Sequence, residues 1–219
     1  MKPSRILLIG ILATGAFYVA GFVALGASFP TVDSTGKEVI EWFSNNGARA
    51  RLYAWTAAFV SAGLAVFGGQ VSALLPVPHR YIFMAGVLGF AITAQVQAWF
   101  WAGLALYPQD LDAAAARTIF VIPAYWGPLV NGSTVTMALP IAALGLGGSP
   151  IVPRWLVCLS ALFLLEQAVE TVTVFGRTGF IAPGGTMNVY LGGTIGFVWV
   201  GGIVHWAIGR LERADQGSG

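Results

Sequence analysis

Charge is scarce in this sequence. Only 9% of its 219 residues are Asp, Glu, Lys or Arg, against about 25% in ordinary soluble domains. That shortage excludes a solvated globular domain. A net charge of +2, scattered along the chain, excludes a nucleic-acid partner. Cysteine is nearly absent too: Cys158 stands alone, so neither a disulfide framework nor a thiolate metal site can form. The two histidines, His79 and His205, fall at the ends of apolar segments and read as interfacial residues rather than haem ligands. There is no phosphate loop, GxSxG elbow, HExxH pair or Asp-rich metal–diphosphate motif, so hydrolase, kinase and magnesium-dependent prenyl-transfer readings lack their groups. No metal and no cofactor is expected.

What fills the chain instead is apolar: 57% of the residues are hydrophobic. A bilayer-spanning helix takes about 20 mostly apolar residues. Six segments meet that length, at about 5–29, 50–75, 81–107, 117–146, 153–175 and 186–209. The expected fold is an all-α polytopic transmembrane bundle, one unit over 1–210, followed by a solvated cytoplasmic tail over 211–219. The first segment opens with Lys2 and Arg5 like a secretory signal. Its apolar run of about 25 residues exceeds the 7–15 of a signal core, so it reads as a retained helix. Lys2, Arg5, Arg80, Arg154, Arg210 and Arg213 fall on one side, and Lys37, Arg49, Arg51, Arg117 and Arg177 on the other. The slightly more basic side, with its short loops, is read as cytoplasmic. This makes it a multi-pass protein of a bacterial plasma membrane with both termini on the cytoplasmic side.

The connection over 30–49 has a structure of its own. Thr35 and Glu38 fit a capping box, Val39, Ile40, Trp42 and Phe43 line one side of a short helix, and Asn46-Gly47 reads as its stop. Such a helix is expected to lie in the outer interface with Trp42 and Phe43 down.

Against this background, two acids stand out. Glu166 and Glu170 sit one helical turn apart in LLEQAVETVTVF, inside the fifth apolar segment. At 1.5 Å per residue Glu166 falls about 18 Å along from Arg154, a little past mid-membrane. A carboxylate at that depth is costly, so both are expected to face the bundle interior. Burial disfavours the charged form and a second carboxyl disfavours it further, so one member of the pair is expected to keep its proton and act as the donor. The competing reading is a pair of neutral acids that hold helices together by hydrogen bonds.

Other spans offer partners. The third pairs Gln95 with Trp99 on one face and Gln97 with Trp101 on another. The fourth is interrupted by Pro123 and Pro128 and carries Tyr125, Trp126 and Asn131; such breaks are tolerated at membrane depth where backbone lines a cavity or is covered by protein. Asn131-Gly132-Ser133 matches a glycosylation sequon only by chance, given its depth. The sixth brings Asn188, Tyr190 and Trp199, with Gly192 and Gly196 at a spacing that permits close helix contact. Trp55 and Trp155, near span ends, read as interface-belt residues. Gln95, Trp99, Tyr125, Trp126, Asn131, Asn188 and Trp199 are the expected ligand-binding set around Glu166 and Glu170.

Two stretches, EVIEWFSNNGARARLYAW and ETVTVFGRTGFIAPGGTMN, resemble a family of small multi-pass membrane proteins of actinobacteria, a likeness that covers most of the chain and implies the bundle but no chemistry. In design the sequence is also similar to the integral-membrane terpene cyclases of meroterpenoid pathways, which protonate an alkene or epoxide with membrane-buried acids and need no metal. That family commonly has seven spans and sets its two acids on different helices, whereas here they share one. The likeness implies acid-catalysed cyclisation or isomerisation of a lipid-soluble isoprenoid, with Glu166 as donor and Trp99, Trp126 and Trp199 as cation-stabilising faces. The alternative is a non-enzymatic protein: a lipid or small-molecule carrier that uses the same acids for proton coupling, or an accessory subunit that offers glycine-rich faces to a membrane-protein partner.

Overall fold

The computed structural model of the protein describes residues 2–216. Seven α-helices make six membrane-length segments: α1 (Pro3–Leu25), α2 (Gly36–Ser72), α3 (His79–Leu104), α4 (Ala113–Ala124) joined almost end to end with α5 (Trp126–Leu146), α6 (Arg154–Glu170) and α7 (Gly193–Gln216). No strand occurs among the described residues. The helices pack largely in chain order, α1 on α2, α2 on α3, α3 on α5, α5 on α6 and α6 on α7, and α7 closes the ring against α1. An even number of crossings returns the chain to its starting side, where Lys2 Nζ meets Asp215 Oδ2 at 2.7 Å.

The outer surface of the ring is apolar, with Leu8, Ile9, Leu12, Val19 and Val23 of α1 all exposed. This is the inside-out pattern of a lipid-facing bundle. Inside are two apolar clusters. One gathers Leu7, Phe67, Phe83, Ile141, Leu156, Phe163 and Trp199. The other gathers Leu25, Val39, Trp42, Phe43, Tyr53, Trp101 and Phe120.

The expected short interfacial helix is not a separate element. Residues 36–45 run straight into the second span as the first turns of α2, and the only disturbance is a kink at Asn46 (φ −125°, ψ 18°). Asn46 Nδ2 donates to Trp42 O at 3.0 Å, covering a carbonyl that the kink would otherwise strand. Arg49 braces the bend by donating to Ala24 O (2.6 Å) and to Asn46 Oδ1 (3.3 Å). Trp42 and Phe43 do not dip into lipid. They are buried against Phe29 and Phe120, so tertiary packing overrides the local stop signal. The capping box is present: Thr35 N donates to Glu38 Oε2 at 2.6 Å and Glu38 N to Thr35 Oγ1 at 3.3 Å. Thr35→Ala is expected to speed hydrogen exchange several-fold in the first turns of α2 and leave the amides beyond Asn46 unchanged, as read by mass spectrometry.

A second correction concerns the tail. Helix α7 continues through Arg210 to Gln216, so only 217–219 of the expected tail remain, and these lie outside the described residues.

Prolines set the remaining break. Pro123 sits in the last turn of α4 and Pro128 in the first turn of α5, where a missing N–H leaves no helical bond unmade. The chain bends between them at Tyr125. There Gln97 Nε2 donates to Pro123 O at 3.2 Å, and Gln97 Oε1 accepts from the Tyr53 hydroxyl at 2.8 Å.

Candidate functional site

Helix α6 follows the apolar pattern of the first cluster as far as Phe163 and then turns polar. Glu166, Gln167 and Glu170 are 6%, 3% and 4% exposed, so all three face the interior rather than lipid. Directly after Glu170 the chain tightens into a 3-10 turn (Thr171–Phe175), which buries Thr173 completely.

Gln167 is the centre of the arrangement. Its Nε2 donates to Glu166 Oε2 at 2.7 Å and to Glu170 Oε2 at 3.0 Å, so one amide joins the two acids. Its Oε1 accepts from the Thr134 hydroxyl of α5, and its backbone carbonyl accepts from Asn131 Nδ2 at 3.3 Å. Glu170 is held from the other side by Asn188, whose Nδ2 donates to Glu170 Oε1 and, at 3.2 Å, to Thr173 Oγ1.

Asn188 lies in a wide π turn (Met187–Gly192) that opens into α7. Such turns insert an extra residue into a helix and occur often at functional sites. Two glycines make the room. A Cβ at Gly192 would stand 2.6 Å from Glu170 Oε2, and one at Gly127 would stand 2.8 Å from Asn188 Cγ. Three helices of the bundle therefore converge on two carboxyl groups.

Three of the four carboxyl oxygens accept hydrogen bonds, all from amides. The fourth, Glu166 Oε1, is buried with no partner. No salt bridge reaches either acid among the described residues. Two full negative charges in this setting would be unpaired at membrane depth, an arrangement that costs many kcal/mol. The arrangement suits a pair that holds a proton.

Of the residues expected around the acids, Asn131 and Asn188 are brought to them, Asn188 directly and Asn131 through the backbone of Gln167. Trp126 precedes the glycine on which Asn188 rests; its ring packs edge-on to Phe90 at 5.4 Å, and its indole N–H is buried without a partner. The others lie elsewhere. Trp99 is 64% exposed on the lipid face of α3, and Gln95, one turn before it, is half-buried and is not among the hydrogen-bond partners of the acids. The inward pair of that helix is Gln97 and Trp101. Trp199 is fully buried, stacked on Phe163 at 4.7 Å with its N–H on Ser160 Oγ at 3.0 Å, so it is a core residue. Tyr125 is half-buried at the bend.

Of two cavities open among the described residues, neither touches Glu166 or Glu170. An open groove of about 460 Å³ lies at the end opposite Lys2, lined by Phe29, Thr31, Glu38, Glu41 and Trp42. A space of about 30 Å³, room for a single water, lies among Tyr18, Phe22, Tyr53, Phe90, Gln97 and Trp126.

Sequence reasoning missed the part played by Gln167, Thr134 and Gly192. The signal for Gln167 was its place between the glutamates, but a rotation of about 100° from Glu166 hides how its long side chain folds back between them. The class defined by fold and site is a multi-pass helical membrane protein with an amide-bound carboxyl pair in its interior. Comparison with protein-family models, with curated proteins and with solved structures finds no match to this chain.

Proposed function

We propose that this protein binds and releases a proton at the Glu166–Glu170 pair, and that the proton goes to, or comes from, a lipid-soluble ligand in the membrane. The observation that carries the reading is Glu166 Oε1: a buried carboxyl oxygen without a partner, in a pair whose other oxygens are all engaged. Buried polar atoms left open in this way are rare and mark a place for a further group. Glu170, saturated by two amides, fixes the pair; Glu166, with one open oxygen, hands over the proton.

One use of that proton is proton-coupled carriage of a small lipid-soluble molecule. The second use is acid-catalysed cyclisation or isomerisation of an isoprenoid. It would draw on aromatic faces, but the Trp126 ring packs on Phe90 in the space that does not touch the acids, Trp99 faces lipid and Trp199 is locked in the core. In either use the chain works in a bacterial plasma membrane with both ends in the cytoplasm, the side favoured by the basic residues.

Infrared spectroscopy of the purified chain in lipid nanodiscs tests the reading. The C=O stretch of a protonated carboxyl is expected near neutral pH in the wild type and absent from the Glu166→Gln, Glu170→Gln double variant. Absence of that band from the wild type overturns it. Mass spectrometry of co-purifying lipids then separates the uses: a ligand released unchanged and lost in Glu166→Gln marks carriage, and a cyclised or isomerised product from a farnesylated or geranylated substrate marks catalysis.

A further inference from the structure

Glu170 ends α6, one 3-10 turn before the link to α7, at the end of the bundle opposite Lys2 and Asp215. That link is folded rather than slack. Gly176 packs against the carbonyl of Ile181, a short 3-10 turn covers Gly179–Ile181, and Ala182 and Pro183 tuck into the bundle. Phe175, Phe180 and Ile181 remain exposed on its outer side beside the exposed Arg177. The segment is thus apolar enough to rest at the membrane surface and short enough to move as one piece.

One side chain ties it to the acids. Asn188 Oδ1 accepts from Gly184 N at 2.9 Å, while Asn188 Nδ2 donates to Glu170 Oε1 and to Thr173 Oγ1. Both amide hydrogens and the amide oxygen are used, and they join the link, the carboxyl and the end of the fifth span. Gly184 takes a left-handed backbone (φ 67°), which presents its N–H to that oxygen.

The geometry points to Asn188 as a clasp: it holds the segment 176–186 shut over Glu170, and its release opens the carboxyl pair to water from that end of the bundle. The inference rests on the proton reading above and adds the route by which the proton is exchanged. A neutral amide holds a carboxyl group less tightly than an ion pair would, so the clasp can be opened and reclosed. A cation in place of Asn188 would hold a carboxylate far more tightly and shut the route.

The test uses two carbodiimides on the full chain in nanodiscs, with modified sites mapped by peptide mass spectrometry. Dicyclohexylcarbodiimide reaches protonated carboxyls through lipid. A charged, water-soluble carbodiimide reaches them only through water. In the wild type the lipid-soluble reagent is expected to label the pair and the water-soluble one to label it slowly. Asn188→Ala is expected to raise water-soluble labelling of Glu170 by on the order of tenfold, the loss of about two net hydrogen bonds, with lipid-soluble labelling little changed. Gly184→Ala, which strains the left-handed residue and leaves the carboxyl partners in place, is expected to act in the same direction and serves if Asn188→Ala does not fold.

A folded variant that labels no faster than the wild type overturns the clasp. If the lipid-soluble reagent labels neither acid, the proton reading fails instead. The clasp is then judged by hydrogen exchange at 176–186, which must accelerate in both variants if it exists and overturns it if unchanged.

Discussion

Replacing Gln167 with Leu will destabilise the bundle by about 3–5 kcal/mol and release both glutamates from their present positions. Two effects add. Single side-chain hydrogen bonds in membranes average about 0.6 kcal/mol, so the three bonds made by the Gln167 amide, one from α5 and two within α6, account for about 2 kcal/mol. The acids are then left as buried groups without their shared donor, and stranding such a group costs about 1–3 kcal/mol more. The second effect is of about the same size as the first, which makes Gln167→Leu more damaging than a count of lost contacts suggests. Thermal unfolding in detergent measures it. Thr171→Leu, on the exposed side of the same segment, is the control, with an expected change within about 0.5 kcal/mol. Equal midpoints for the two variants would mean that the amide bridge holds nothing together.

Trp199→Ala will be the other large effect, at about 3–5 kcal/mol, the usual loss when a fully buried tryptophan leaves a cavity. Trp199→Phe keeps a ring on Phe163 but gives up the bond to Ser160 and part of the indole volume, so it costs about 1–3 kcal/mol. Trp99→Ala, on the lipid face, will fall within about 0.5 kcal/mol. The same unfolding assay on all three variants separates a packing role from a ligand-binding one. If Trp199→Ala unfolds like the wild type yet alters ligand retention, the core assignment of Trp199 is wrong.

The spans were legible because their signal is redundant: some twenty apolar residues admit few alternatives at bilayer scale. The inward direction of Glu166 and Glu170 was legible for the same reason, since a carboxyl facing lipid is too costly to sustain. The capping box at Thr35 and Glu38 is strictly local and needed no tertiary information. The failures arose where distant contacts decided between local options. Asn46-Gly47 resembles a helix stop, but burial of Trp42 and Phe43 under Phe29 and Phe120 carries α2 through it with only a kink. In α3, Gln95 with Trp99 and Gln97 with Trp101 share one spacing, and only packing against α2 and the Pro123 carbonyl selects the second pair as inward. Aromatic rings gave the least guidance of all. A tryptophan suits lipid, core and cavity about equally well, so Trp99 and Trp199 carried no information about which of the three each would occupy.

The ion pair between Lys2 and Asp215 has a topological consequence. Because the Lys2 and Asp215 side chains touch at 2.7 Å on one side of the ring, a short linker could join the start of the first helix to the end of the last into a closed loop. The loop could then be cut at another turn on that side, the Gly147–Pro153 turn for instance, and every helix would still run in its present direction. The order of the helices along the chain is therefore a matter of where the loop is opened, and the circle itself carries the architecture.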